Sequence, residues 1–312
     1  MLCELRSGRP RNRGRVPFVQ DVVVASRLVQ ILAVALVLGA CGSEQVDVTD
    51  ETDGTGGGGG TGAIEYPTAA DQAVVRLTMA GGFVPEGSDF RSTPALVIEG
   101  DGSVFRPGAQ IEIFPPPLLP AVTVAPLDPE GIQIVLDAAQ QAGLLAPPPS
   151  YEPGAGAAQV ADAPTTVLEL QANGETYRHE AYALGFQPTG EESTTERAAL
   201  HEFVNQLLDL PTLVGDHLGT DELYEPERFG VMARPATPEE LTPTEDGIEP
   251  AVVPWPADAP PLASMAACTE VPAETLAAVF ADADQLTRFS QDGATYTVFV
   301  RVLLPDETCP PG

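Results

Sequence analysis

Lysine is absent from the 312 residues, and there are only three histidines, one tryptophan and four cysteines. Each scarcity excludes something. A phosphate-binding loop needs a lysine to reach the terminal phosphates, and the glycine pairs present, Gly81-Gly82 and Gly100 to Gly102, read as turns. A zinc-protease helix needs two histidines four residues apart. His201 and Glu202 begin that pattern, but Asn205 stands where the second histidine would be. No serine lies in a Gly-x-Ser-x-Gly elbow, and Ser88 in "PEGSDF" lacks the flanking glycines. Positive charge is also short: 15 arginines face 45 acids, for a net charge of −30. Such a field repels phosphate backbones and anionic glycans, which excludes nucleic acid as a partner.

What basic charge there is lies at the start. Residues 1–27 carry Arg6, Arg9, Arg11, Arg13, Arg15 and Arg27, and an apolar block follows from Leu28 to Ala40, broken only by Gln30 and Gly39. A basic segment before a short apolar one is an export signal. The block is shorter than the roughly 18 to 20 residues a membrane-spanning helix needs. It ends in Leu38-Gly39-Ala40-Cys41, which resembles the lipobox of bacterial lipoproteins. That resemblance implies cleavage before Cys41 and a diacylglycerol on its thiol, holding the chain at the extracytoplasmic face of the cell membrane. The alternative is an ordinary secretory signal with an incidental cysteine.

With Cys3 in the signal and Cys41 assigned to lipid, Cys268 and Cys309 remain, and an even pair in an exported domain reads as a disulfide. A zinc site is the poorer reading, because two cysteines without a nearby histidine lack the ligand count. Removal of residues 1–40 leaves nine arginines against 43 acids, a net charge near −34. The acids are dispersed along the chain, which favours solubility outside the cell over a dedicated cation or basic-partner site. Residues 42–65, "GSEQVDVTDETDGTGGGGGTGAIE", are acidic and glycine-rich with almost nothing apolar, the composition of a disordered tether.

From Tyr66 onward hairpin and helix signals alternate. "ALVIEGDGSVF" turns at Asp101-Gly102, and "TTVLELQANGETYRHEAYAL" turns at Asn173-Gly174. In "DPEGIQIVLDAAQQAGLL", Asp128 caps a helix, Pro129 opens it, and Ile132, Val135, Leu136 and Ala139 share one face. In "STTERAALHEFVNQLLDL", Ser193 and Glu196 form a capping box before Leu200, Phe203, Val204, Leu207 and Leu208. A last helix, "PAETLAAVFADADQL", precedes Asp292-Gly293 and a strand in which Tyr296, Val298, Val300, Val302 and Leu304 alternate. With an early strand at "AVVRLTM", these predict an α+β fold: an antiparallel sheet of β-hairpins with helices packed on one face. Proline-rich connections, the longest being "RPATPEELTPTEDGIEPAVVPWPADAPP", exclude regular helix or central strand. The organisation read from these signals is 1–40 signal peptide, 41–65 lipidated cysteine and tether, 66–225 N-terminal α+β region, and 226–312 proline-rich connection and disulfide-closed helix-strand unit.

"ALVIEGDGSVFRPG", "LDPEGIQIVLDAAQQAGLL", "DAPTTVLELQANGETYRHEAYAL" and "VRVLLPDETC" together resemble a group of exported lipoproteins of the high-GC Gram-positive type. Their shared motifs are structural: turn glycines, helix caps and a disulfide. The resemblance therefore transfers no catalytic residue.

Two residues stand out as candidate ligand contacts. Trp255, in "VVPWPADAPP", is either an exposed aromatic platform or a lid packed over the core. His217 lies among the acids of "GDHLGTDELYEPE", a setting for a weak cation site, although the spacing of a calcium loop is missing. His179, beside Glu180 in a strand, reads as a surface residue, and His201 as solvated or packed on its helix. No cofactor is implied. The leading functional expectation is a non-enzymatic binding module at the cell envelope, with the membrane and a protein, peptide or small ligand as partners. An extracellular hydrolase using paired carboxylates or a weakly bound cation, and an inhibitor-like module acting on a secreted enzyme, are the alternatives.

Overall fold

Asp101-Gly102 and Asn173-Gly174 turn the chain as the sequence predicts. Asn173 and Gly174 have φ of 54° and 75°, the left-handed pair of a tight hairpin turn. Gly102 has φ of 90°, and a Cβ there would lie 2.1 Å from the Leu127 carbonyl oxygen, so neither the backbone nor the space admits another residue. The computed structural model describes residues 62–152, 160–186 and 194–309. The expected signal peptide, Cys41, most of the tether and Ser193 lie outside the described residues.

Seven strands form the first sheet: β1 (Ala73–Ala80), β2 (Leu96–Glu99), β3 (Ser103–Pro107), β4 (Val122–Pro126), β5 (Thr165–Ala172), β6 (Glu175–Tyr182) and β7 (Glu222–Leu223). They run in the order β6-β5-β1-β2-β3-β4-β7, with every neighbouring pair antiparallel. Residues opposite each other in such a sheet share a face. Register therefore sorts the side chains into two cores. Leu77 pairs with Leu96 and Leu168, and Ile98 with Val75 and Val104, and these face one core. Val97 pairs with Phe105, and Phe105 with Val124, and these face the other.

α1 (Ser88–Arg91) is a single short turn after β1, and longer helices cover the first face. In α2 (Pro129–Gln141) the Asp128 carboxylate accepts from the Gly131 amide at 2.8 Å, and Ile132, Val135, Leu136 and Ala139 are buried as expected. In α3 (Thr195–Leu208) Leu200, Phe203, Val204 and Leu207 are buried while Leu208 is exposed. Its cap is Thr194, whose hydroxyl accepts from the Arg197 amide at 3.1 Å, so the helix starts one residue later than a Ser193 cap requires. The short α4 (Leu210–Val214) adds Leu210 and Val214. Each large apolar side chain so buried stabilises the fold by about 1.5–3 kcal/mol. Ile64 also belongs to this core, and its amide donates to Gln133, while the Glu65 carbonyl accepts from the Asn173 amide. The end of the expected tether is therefore part of the fold: one isoleucine in an otherwise polar segment suffices to dock it.

The second face is covered by another sheet, which hairpin signals alone did not separate from the first. It consists of β8 (Arg228–Pro235), β9 (Val252–Pro254), β10 (Thr269–Pro272), β11 (Arg288–Gln291) and β12 (Ala294–Val302), in the order β10-β8-β12-β11-β9. Only β11 and β9 pair in parallel. Proline is placed where a ladder tolerates it, on the edge strands β9 and β10 and at the end of β8. Val298, Val300 and Val302 of β12 enter the second core together with Leu276 and Phe280 of α5 (Ala273–Ala281). The other side of β12 is covered too. Phe299 lies between the guanidiniums of Arg91 and Arg234, 5.9 and 5.7 Å from its ring centre.

Cys268 and Cys309 form a disulfide, with their Cα atoms 5.4 Å apart. It fastens the chain end beside β10, where the Cys309 amide donates to Glu270 at 2.9 Å and Arg228 bonds Glu270 at 2.6 Å.

Candidate functional site

Alanine recurs at Ala273, Ala277 and Ala281 of α5, four residues apart and so on one face. Leu276 and Phe280, on the adjoining side, are buried in the core together with Ala273, while Ala277 and Ala281 are exposed and form a shallow wall. Facing it are Leu119, Pro120 and Ala121, on the loop leading into β4, and Leu223, Tyr224 and Pro226, on the link between the two sheets. Phe229 and Val302 form the floor of a groove of about 600 Å³, within the size range of ligand sites. Tyr224 is held in place: its ring meets Phe105 edge-on at 4.9 Å, and its hydroxyl donates to the Leu303 carbonyl at 3.4 Å. Burial, followed by Glu227, raises its pKa. Leu223 is 69% exposed on the rim. The lining carries two charged side chains, Glu225 and Glu274, and no basic one.

The loop that supplies Leu119 to Ala121 also presents Ile111, Ile113 and Phe114 to solvent. It is braced further along, where the Leu118 amide donates to Ala283 and the Gln285 amide to Pro116. Exposed apolar side chains on an excursion tied down at its base are the surface expected of a recognition loop.

The most perturbed acid lies elsewhere, between the sheets. Glu99, on the Val97 side of β2, is fully buried, and neither carboxylate oxygen has a hydrogen-bond donor. Burial, then the neighbouring Asp306 carboxylate, pushes its pKa up to about 9. A proton on Glu99 resolves the conflict by donating to Asp306, since two carboxylates cannot bond to each other without one. Arg76 then pairs with Asp306 and, at 3.0 Å, with Glu307, while Arg301 bonds Glu307 at 2.7 Å. Glu99 is closed off from solvent. The cluster locks the C-terminal segment onto the first sheet.

The three histidines are likewise engaged. His179 is buried, unlike the surface residue expected: Nε2 donates to the Leu144 carbonyl at 2.8 Å, which leaves Nδ1 to accept from Tyr151 at 2.7 Å. Burial lowers its pKa. Its alternation in β6 puts it on the helix-covered face, a fact its neighbour Glu180 conceals. His217 bonds Asp128 at 2.9 Å, at the cap of α2, and that bond raises its pKa. Its place is the end of a helix, and among the described residues no three His, Cys, Asp or Glu side chains are grouped to hold a metal ion. His201 sits half-buried on α3. Trp255 is only 6% exposed; its indole donates to the Pro260 carbonyl at 3.0 Å and its rings meet Phe289 edge-on at 5.5 Å. It packs as a lid on the second core and is no platform.

The nine arginines among the described residues are all committed within the fold. Seven pair with carboxylates, Arg197 donates to the Tyr151, Tyr182 and Ala183 carbonyls, and Arg91 covers Phe299. No helix among the described residues is long and apolar enough to cross a membrane. No protein-family model, curated protein or solved structure matches the chain.

Sequence reasoning passed over both the groove and Glu99. The alanine stripe of α5 was a legible signal for the groove. Glu99, ending the apolar run Leu96–Ile98, was one for the buried acid.

Proposed function

We propose that this chain is a lipid-anchored, extracytoplasmic binding module of the cell envelope, tethered through Cys41, which takes a partner polypeptide segment in the groove between α5 and the Leu119 loop. The groove carries this reading. Its lining is apolar apart from two carboxylates and a tyrosine whose hydroxyl is already bonded. An extended peptide buries alternate side chains in such a trough, and the apolar contact supplies affinity without chemistry. A hydrolase working through paired carboxylates would have Glu225 and Glu274 available. The lining, however, offers little else to hold the hydroxyl groups of a glycan, and that favours binding.

The anchor is tested by mass spectrometry of the chain extracted from its envelope. The expected species begins at Cys41, carries a diacylglycerol and gains two hydrogens on reduction; an unlipidated chain would defeat the tethered reading. The groove is tested by selecting displayed peptides on the full chain and re-screening on Ala277→Trp, which fills the trough from an exposed helix position. Peptides that bind both proteins equally would place the binding site elsewhere.

A further inference from the structure

We propose that the segment taken by the groove is an extended apolar peptide bracketed by lysine or arginine. This rests on the binding-module reading and narrows it. One wall of the groove is β7 and the link following it; Glu225 lines the groove there, and Asp221, Glu222 and Glu227 are exposed beside it. Among the described residues only Asp221 of these has a cationic partner, Arg106 at 2.6 Å. Glu274 faces this wall from the first turn of α5, where the helix dipole favours an acid. The groove is thus an apolar floor with anionic edges on both sides. No arginine lines it, and none is free to turn toward it, because each is held by a carboxylate, a carbonyl or Phe299.

Charge also decides among the occupants an apolar groove could take. A second copy of the chain brings a net charge near −34 against another of the same size. An anionic membrane surface meets the same field. A peptide with an apolar centre and basic ends gains from both the floor and the edges, and long-range attraction speeds its arrival.

The test uses three synthetic peptides with the same leucine and phenylalanine centre and with lysine, serine or glutamate at both ends. Their binding to the full chain in detergent is measured by fluorescence anisotropy. The lysine-flanked peptide is expected to bind most tightly and the glutamate-flanked one least. Glu225→Gln with Glu274→Gln is expected to weaken the lysine-flanked peptide about fivefold, as two partly exposed ion pairs allow, and to leave the serine-flanked one unchanged. Ala277→Trp abolishes binding of both. Equal affinity for lysine and serine flanks, still lost in Ala277→Trp, overturns the charge inference and leaves the groove reading standing. Binding insensitive to Ala277→Trp overturns the groove reading itself. Should vesicles of anionic lipid bind the Cys41→Ser chain and displace the lysine-flanked peptide, the occupant is a membrane and the peptide inference fails.

Discussion

Replacing Glu99 with glutamine should stabilise the protein at neutral pH. The wild-type carboxyl has its pKa pushed up to about 9 by burial and by Asp306, against an ordinary value near 4.5. A raised carboxyl pKa means that the folded state keeps a proton that the unfolded chain releases. Its contribution to stability is therefore fully present below about pH 4.5, declines as pH rises, and levels off only above about pH 9. The decline is at most about 1.4 kcal/mol per pH unit. By pH 7 it accumulates to roughly 3–4 kcal/mol. Glutamine has nearly the same shape, and its amide donates to Asp306 without having to hold a proton from water. Glu99→Gln should thus flatten stability between pH 6 and 8 and raise the melting temperature at pH 8 by roughly 5–10 °C. The fluorescence of Trp255, the single tryptophan, buried in the second core, reports unfolding in urea at each pH. A wild-type slope that survives unchanged in Glu99→Gln would show that the proton does not reside on Glu99.

Other substitutions probe the remaining joints. Reduction of Cys268–Cys309, or its replacement by serines, should cost about 3–4 kcal/mol by the loop-closure model, read as a lower urea midpoint. His179→Leu leaves the Tyr151 hydroxyl and the Leu144 carbonyl buried without a partner, a loss of about 1–3 kcal/mol at pH 7. Because burial depresses the His179 pKa, wild-type stability should also fall as pH drops below the unfolded value near 6.5, and that contribution should vanish in the variant. Thr194→Ala should cost about 1 kcal/mol, while Ser193→Ala should cost nearly nothing, which separates the two capping assignments by thermal melts.

What was legible in the sequence was local. Asp101-Gly102 and Asn173-Gly174 state their turns in two residues, and Asp128-Pro129 states a helix start in two more, because the required backbone angles and donors lie within a few positions. In the second sheet only β12 and the Asp292-Gly293 turn before it were legible in this way. β11 reads Arg-Phe-Ser-Gln, β9 is three residues inside a proline-rich stretch, and β8 finds its partner β12 only after β9, β10, α5 and β11 have intervened. Such strands exist through pairing, and pairing between distant segments leaves no periodic trace in a short window. The candidate groove has the same character, since its walls come from the loop before β4, the link after β7 and α5. Glu99 shows the limit most plainly: its burial depends on Asp306 and on the chain end that the disulfide fastens.

The distribution of arginine connects this architecture to the surface that remains. Arg76, Arg228 and Arg301 tie the C-terminal segment to both sheets through Asp306, Glu307 and Glu270, while Arg234 and Arg288 converge on Glu240, held at about pKa 2 against the opposing effect of burial. Guanidinium suits this work because its planar fork serves two acceptors at once and stays charged when buried. With no lysine in the chain, every permanently cationic side chain among the described residues is such a fork, and each is spent inside the fold. Many of the described acids, Glu222, Glu225 and Glu274 among them, face solvent. Two copies of a chain with a net charge of −30 repel, which opposes closure of the apolar groove on another copy and favours the positively charged occupant proposed above.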